Sequence, residues 1–134
     1  MKRRPAGTTL KPKVKILKTK FADMRAGQTM AIGTPTLIRE LIKSIPKGKT
    51  WSFAHLRTRL AKRLKADVAC PVTTAMYLRQ AIESELESAP RRFSFPFWRA
   101  VSPSASIFNK LTPEAQQIIL KRRRREGTLD LKGE

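Results

Sequence analysis

Residues 45–56 read IPKGKTWSFAHL, and they separate two stretches whose apolar residues recur at helical spacing. Upstream, Thr34-Pro35 has the form of a helix N-cap followed by a first-turn proline, and leucines and isoleucines then recur as far as Ile45. The PKG of the quoted segment interrupts that period, and Ser52 can cap a second helix. The apolar face of the second helix is Phe53, Leu56, Leu60 and Leu64. The segment therefore predicts two helices joined by a basic loop.

Two further helices are predicted downstream. The third begins at Pro71 and ends near Glu87, because Pro90 cannot continue a helix. The fourth begins at Thr112-Pro113 and stops at Gly127. The apolar residues expected to face inward from the third helix are Val72, Met76 and Ile82.

The order of these elements favours a mainly α, winged helix-turn-helix-like single domain. A short turn at 66–70 separates the second helix from the third, which would then be the natural reader of DNA. We expect residues 1–33 to form a basic, flexible and partly disordered N-terminal arm, with a short strand or extended piece at 14–17. The domain would span 34–127, and 128–134 would be a C-terminal tail.

The charge of the chain restricts its partners. The 134 residues contain 29 Lys and Arg against 10 Asp and Glu, a net charge of +19. Such self-repulsion points to a polyanion, with nucleic acid first and an anionic membrane surface a distant alternative. No apolar run is long enough to span a bilayer, and no apolar segment of a secretory signal follows the basic start. The single cysteine fits a reducing compartment, so we expect a cytoplasmic protein, nucleoid-associated if bacterial.

Four blocks of the chain resemble one known family. IPKGKTWSFAHL is similar to the "IPKGKVxTYGDIA" opening of the alkylguanine-DNA alkyltransferase C-terminal domain. CPVTTAMY at 70–77 stands where the family has "NPKAARAVG", the start of its recognition helix, and PRRFSFPFWRAV at 90–101 resembles "PxPxxIPCHRVV". Residues 117–127 are similar to the closing "Q…LLxxEG" helix. The resemblance covers about 34–127 and implies a DNA-binding winged-helix domain.

The departures from the family pattern bear on chemistry. Phe97 stands at the position of the reactive cysteine and Trp98 at that of the activating histidine, so the thiolate that displaces an alkyl group is missing. The chain therefore most resembles the alkyltransferase-like proteins, a branch that replaces the cysteine with an aromatic residue yet binds alkylated DNA. The resemblance also places Ala75 at the arginine that fills the gap of a flipped base, Phe53 at a phosphate-facing tyrosine, and Ala89 at an asparagine. Each of these changes weakens base flipping.

Candidate site residues follow from the charge pattern and from the resemblance. The expected phosphate contacts are Lys47, Lys49, Arg57 and Arg59. The expected groove contacts on the third helix are Thr73, Thr74 and Tyr77, with Arg79 as a partial substitute for the missing arginine. The expected base pocket is Phe53, Phe97, Trp98 and Arg99. Each set also has a structural interpretation: a solvated face, helix capping and core packing, and aromatic rings that simply fill space beside an arginine bonded to loop carbonyls.

No catalytic residue, metal or cofactor is predicted. His55 is the only histidine and lacks companion ligands in the sequence, and Cys70 fits best as a small buried apolar residue. The sequence thus favours a non-catalytic binder of double-stranded DNA that recognises alkylated or distorted sites. Two alternatives stay open: a general RNA- or ribosome-associated protein on the same scaffold, and an enzyme that accepts alkyl groups on Cys70.

Overall fold

The computed structural model describes residues 11–88 and 92–129, and over these residues it is mainly helical with a small sheet. The α-helices are α1 (Pro35–Lys43), α2 (Phe53–Arg63), α3 (Pro71–Ser88) and α4 (Pro113–Arg125). The strands are β1 (Lys13–Ile16), β2 (Thr29–Ile32) and β3 (Val68–Ala69). Two short 3-10 helices, Phe97–Arg99 and Ser106–Lys110, lie between α3 and α4.

Three helices begin where the sequence predicts, because a hydroxyl caps each first turn. The Thr34 hydroxyl accepts a hydrogen bond from the Leu37 amide at 3.1 Å, and the Ser52 hydroxyl accepts one from the His55 amide at 3.0 Å. Thr112 does the same for α4. Each cap satisfies a backbone donor that the helix leaves unpaired, an interaction typically worth about 1 kcal/mol.

The sheet is only partly predicted: β1 falls on the short strand expected at 14–17, whereas β2, β3 and their pairing are not predicted. β1 pairs antiparallel with β2, and β2 pairs parallel with β3. β3 lies within 66–70, the segment that the sequence analysis expects to be a plain turn. The described part of the expected flexible arm is therefore a hairpin that joins the sheet, while residues 1–10 lie outside the described residues. Ala31 and Ala69 face the helices, whereas Met30 faces a second, smaller cluster with Met24 and Cys70.

The expected inner face of α3 is wrong at two positions. Val72 and Met76 are 58% and 42% exposed, and Ile82 alone of the three is buried. The buried residues of α3 are Thr74, Leu78, Ala81, Ile82 and Glu85. A threonine can take an inward position because its hydroxyl bonds back to the Cys70 carbonyl one turn earlier. The inward stripe therefore includes polar residues, and the apolar pair lies outside it.

Candidate nucleic-acid interface

The aromatic loop, residues 92–101 after α3, leaves no open pocket beside Phe97. Phe97 is fully buried and Trp98 is 5% exposed, and the Phe97 ring packs against those of Phe93, Phe95 and Trp98 with centroids 5.4–5.7 Å apart. A base could not reach Phe97 unless this cluster opened. The expectation that Phe97 and Trp98 line a base pocket is therefore wrong, because the rings occupy the interior themselves.

Arg99 is also occupied within the protein. Its guanidinium binds Glu126 through Nε at 3.0 Å and Nη2 at 2.8 Å, and donates through Nη1 to the Ile45 carbonyl at 2.9 Å. Trp98 donates its indole N–H to the same carboxylate. Arg99 therefore joins the end of α1, the aromatic loop and the end of α4, which corrects its assignment to the base pocket.

The Glu126 carboxylate gives the fold an acid-sensitive contact. The hydrogen bond from Arg99 lowers the pKa of Glu126 below its ordinary value, and the Trp98 indole and the positive charge of Arg99 act in the same direction, while burial opposes them. A lowered folded-state pKa means that the ionised carboxylate stabilises the fold above the unfolded pKa, about 4.3 for glutamate. That contribution is lost as the pH falls through the lower pKa of the folded state.

We expect Glu126→Gln to weaken the dependence of the free energy of unfolding on pH. At pH 7 the variant should unfold more easily than the wild type, and the difference in free energy of unfolding should shrink between pH 5 and pH 3. Urea unfolding at several pH values measures it. Asp23 and Asp67, whose pKa values are also lowered, are present in both proteins and cancel in the comparison. If the difference in free energy of unfolding between the two proteins stayed constant with pH, the ionised Glu126 carboxylate would not be the stabilising group.

The loop between α1 and α2 presents lysines on a constrained backbone. Lys47 and Lys49 are exposed on either side of Gly48, whose φ of +85° is a conformation that favours glycine. The Trp51 amide donates to the Arg99 carbonyl at 2.8 Å, which attaches the end of the loop to the aromatic loop. The exposed Arg59 guanidinium lies 5.3 Å from the centre of the Trp51 ring. These three cations thus have defined positions and face solvent.

The surrounding sequence offers no acid to neutralise them. Residues 41–66 contain eight lysines and arginines and no aspartate or glutamate. Two of the eight form ion pairs with acids elsewhere in the chain, Arg57 with Asp23 and Arg63 with Glu40. The other six are exposed: Lys43, Lys47, Lys49, Arg59, Lys62 and Lys65.

Arg57 was expected to contact phosphate, and the structure gives it an internal role. Its side chain is 16% exposed, forms two bonds with the Asp23 carboxylate, and donates twice more to the Ala69 carbonyl. It therefore ties α2 to the end of β3 and to the segment that follows β1. A phosphate would have to displace these partners.

The predicted groove contacts of α3 are only partly accessible. Thr74 is fully buried and donates to the Cys70 carbonyl, so it cannot touch DNA. Thr73 is half-buried with its hydroxyl oxygen enclosed, and Tyr77 is half-buried against the core. Arg79 is half exposed and pairs with Glu83 one turn later at 3.1 Å. The exposed residues that sequence reasoning missed are Val72 and Met76.

An open groove of about 890 Å³ lies between α3 and residues 105–110. Phe53, from the first turn of α2, lines this groove, whereas the other three residues of the expected base pocket do not. The remaining apolar lining is Pro71, Val72, Ala75, Met76, Ala105 and Ile107, and the charged lining is Arg79, Glu83 and Lys110. The exposed apolar pair on one edge of α3 was the available signal, but the same spacing also fits a buried face.

The basic run 121–125 divides between interior and surface. Arg123 is fully buried and donates to the carbonyls of Trp98 and Val101, and Arg122 stacks on the Trp98 ring at 4.6 Å. Lys121, Arg124 and Arg125 are exposed. Only these three remain available to a polyanion.

Cys70 is 4% exposed and packs with Met24 and Met30, as expected for a small buried residue. Within residues 11–88 and 92–129, no cluster of three His, Cys, Asp or Glu side chains could hold a metal ion. None of the helices described there has the length and apolar character needed to cross a bilayer.

The chain matches no family model, no curated protein and no solved structure.

Proposed function

We propose that this chain binds double-stranded DNA without modifying it, through the α1–α2 loop and the N-terminal half of α3. The observation that carries the proposal is the acid-free stretch 41–66, with six exposed cations. Lysine and arginine on an exposed surface release counterions when they meet phosphates, and this release supplies most non-specific affinity for DNA. The net charge of +19 acts in the same direction.

The order of α2, a seven-residue connection and α3 supports a winged helix-turn-helix-like arrangement, with α3 as the element that approaches DNA. The resemblance to alkyltransferase-like proteins supports the same assignment. Phe53 on the first turn of α2 and Val72 on the first turn of α3 line one groove, so the starts of the two helices lie close together. A duplex lying along α3 would then also meet the loop that carries Lys47 and Lys49.

The proposal includes no transfer of an alkyl group from DNA to the protein. The position that corresponds to the family nucleophile is a fully buried phenylalanine, which can neither attack nor be reached. The thiol of Cys70 is enclosed by methionines and is poorly placed to accept an alkyl group. The chain would therefore hold its DNA and release it unchanged.

Alkylated or otherwise distorted DNA is the proposed preferred ligand. A weakened base pair costs less to open than a normal one, so a protein with room for an unstacked base gains most at such a site. The groove beside Phe53 offers that room and an aromatic ring for stacking. In this proposal the groove replaces the closed aromatic loop as the place that receives a base.

Competition binding tests the proposal. The protein is titrated with a labelled duplex that contains one alkylguanine, against unlabelled guanine duplex and structured RNA of equal length. We expect duplex DNA to compete better than RNA, and the alkylated duplex better than the plain one. Equal affinity for both duplexes would remove damage recognition, and preferred binding of RNA would favour a general RNA-binding role. A mass increase of the protein after incubation would show alkyl transfer and overturn the non-covalent mechanism.

A further inference from the structure

β1 is an edge strand whose outer side is unpaired. The strand order is β1-β2-β3, and no segment within residues 11–88 and 92–129 other than β2 pairs with β1. All four residues of β1 are exposed, whereas the strand at the opposite edge, β3, is only two residues long. An edge strand offers its free backbone donors and acceptors to another extended chain. β1 is therefore the edge at which this sheet could gain a strand.

The hydrogen bonds of β2 show which of its residues bond towards β1. The Thr29 carbonyl accepts a hydrogen bond from the Asp67 amide at 3.1 Å, on the β3 side. The Ala31 carbonyl accepts one from the Cys70 amide at 3.0 Å, on the same side. Along an extended strand the backbone groups of successive residues point to alternate sides. Met30, between Thr29 and Ala31, therefore bonds on the β1 side.

The register then identifies the free backbone groups of β1. Met30 lies opposite Lys15, so the amide and carbonyl of Lys15 belong to the ladder with β2. Val14 and Ile16 alternate with Lys15, and their amide and carbonyl groups point away from the sheet. Pro12 has no amide hydrogen, so the free donors begin at Val14. We call residues 13–16, with these outward backbone groups, the β1 edge.

The side chains of the β1 edge form an apolar face and a charged face. Val14 is 44% exposed and Ile16 is 69% exposed, and the two lie on one face of the strand. Lys13 and Lys15 are exposed on the other face, and neither forms an ion pair with an acid of the described residues. A strand laid along this edge would bury apolar side chains on one face and meet unpaired cations on the other.

The charge around the β1 edge favours an acidic partner. Residues 11–20 contain five lysines and no aspartate or glutamate, and the first acid of the chain is Asp23. Opposite charges paired across two strands are stabilising, whereas like charges directly opposite are destabilising. A second copy that paired antiparallel with Val14 opposite Ile16 would set Lys15 against Lys15. The lysines therefore disfavour self-pairing and favour a strand that carries carboxylates.

We propose that the β1 edge binds an extended acidic segment of another protein, which adds a fourth strand to the sheet. Hydrogen bonds to the outward backbone groups of Val14 and Ile16 hold the segment. Its alternate side chains give selectivity, with apolar residues beside Val14 and Ile16 and carboxylates beside Lys13 and Lys15. The inference does not depend on DNA binding, because β1 lies outside the α1–α2 loop and α3.

A labelled synthetic peptide in which glutamate alternates with valine tests the proposal by fluorescence anisotropy at physiological salt. We expect saturable binding to the wild type. A peptide with the same residues grouped in blocks should bind at least about tenfold more weakly, because it cannot match both faces of the edge. No binding of the alternating peptide, or equal binding of both peptides, would overturn strand addition; the second result would show attraction to charge alone.

Ile16→Pro tests the backbone contact itself. Because the Ile16 amide points away from β2, proline removes an outward donor and leaves the β1–β2 ladder intact. Ile16→Ala is the matched control, since it shortens the side chain and keeps the amide. We expect the proline variant to bind the alternating peptide about three to ten times more weakly than the alanine variant, as for one lost hydrogen bond. Equal binding by the two variants, with the fold retained in urea unfolding, would contradict the proposal.

Lysine substitutions test the charged face without altering the backbone. Lys13→Gln with Lys15→Gln should weaken binding of the alternating peptide and remove most of its dependence on salt. Lys47→Gln with Lys49→Gln removes the same charge from the α1–α2 loop and should leave peptide binding unchanged. An equal loss in both pairs would show that the peptide follows the overall charge of the protein and would overturn the inference, whether or not the proline variant folds.

Two other occupants of the β1 edge give distinct results. We expect duplex DNA not to displace the bound peptide, because the two ligands use separate surfaces. Displacement by DNA that Lys13→Gln with Lys15→Gln abolishes would make the edge part of a nucleic-acid surface. Self-association of the free protein in sedimentation, lost in Ile16→Pro, would make a second copy the occupant. Either result would overturn the acidic segment as the ligand, and the proposed DNA binding is tested separately by the duplex titration.

Discussion

Binding of duplex DNA is expected to weaken by about 10³-fold or more when the salt concentration rises from 50 to 200 mM, the loss typical of six or more phosphate contacts. The six exposed cations of the acid-free stretch are numerous enough for that many contacts. Since each phosphate contact releases counterions, the logarithm of the binding constant should fall linearly with the logarithm of the salt concentration. Fluorescence anisotropy of a labelled duplex measures the slope.

A double substitution tests whether the lysines of the α1–α2 loop contact phosphates. Lys47→Ala with Lys49→Ala should lower the magnitude of the salt slope by about two, roughly one for each lost phosphate contact. The matched control is Lys13→Ala with Lys15→Ala, which removes the same charge from exposed positions on β1, outside the α1–α2 loop and α3. A slope that changed equally in both pairs would show that the α1–α2 loop has no special part in binding.

Replacing Glu85 by alanine is expected to lower the free energy of unfolding by about 1–3 kcal/mol, because it removes the buried acceptor shared by the partly exposed Arg39 and the exposed Ser94. The Glu85 side chain is 2% exposed. Its carboxylate accepts from Arg39 at 3.1 Å, from the Ser94 hydroxyl at 2.8 Å and from the Ser94 amide. Arg39 also lies over the Phe95 ring at 5.1 Å, so one carboxylate joins α1, α3 and the aromatic loop.

Glu83→Ala is the matched control for that experiment. Glu83 lies on the same helix and forms a partly exposed pair with Arg79, so its loss should cost no more than about 0.5 kcal/mol. Urea unfolding at pH 7 measures both variants, and Glu85→Gln should fall between them because it keeps some hydrogen bonds. If Glu85→Ala and Glu83→Ala unfolded at the same urea concentration, Glu85 would not be the anchor of the aromatic loop.

The helices could be predicted from sequence because their signals are local. A hydroxyl before a helical apolar period specifies where a helix begins, and Thr34, Ser52 and Thr112 all act in this way. The pairing of β2 with β3 could not be predicted, since β3 is only two residues long and the two strands are far apart in the sequence. The Thr29 amide donates to the Asp67 carboxylate, and the Asp67 amide donates to the Thr29 hydroxyl, across 38 residues.

The site was harder to predict because exposure depends on partners far along the chain. Arg57 and Arg59 are two residues apart and look alike in sequence, yet Asp23 and the Ala69 carbonyl hold only the first. In the same way, packing alone decides that Arg123 is buried while Arg124 is exposed. The aromatic loop illustrates the same difficulty: its sequence fits a pocket wall as well as a filled interior, and only the burial of Phe97 distinguishes them.

The most direct measurement is a titration of isotopically labelled protein with a short duplex, followed by backbone amide chemical shifts. The account predicts that the largest changes fall in residues 46–52 and 71–79, on the α1–α2 loop and the exposed edge of α3. Changes confined to the β1–β2 hairpin or to α4, or no change at all at physiological salt, would contradict it.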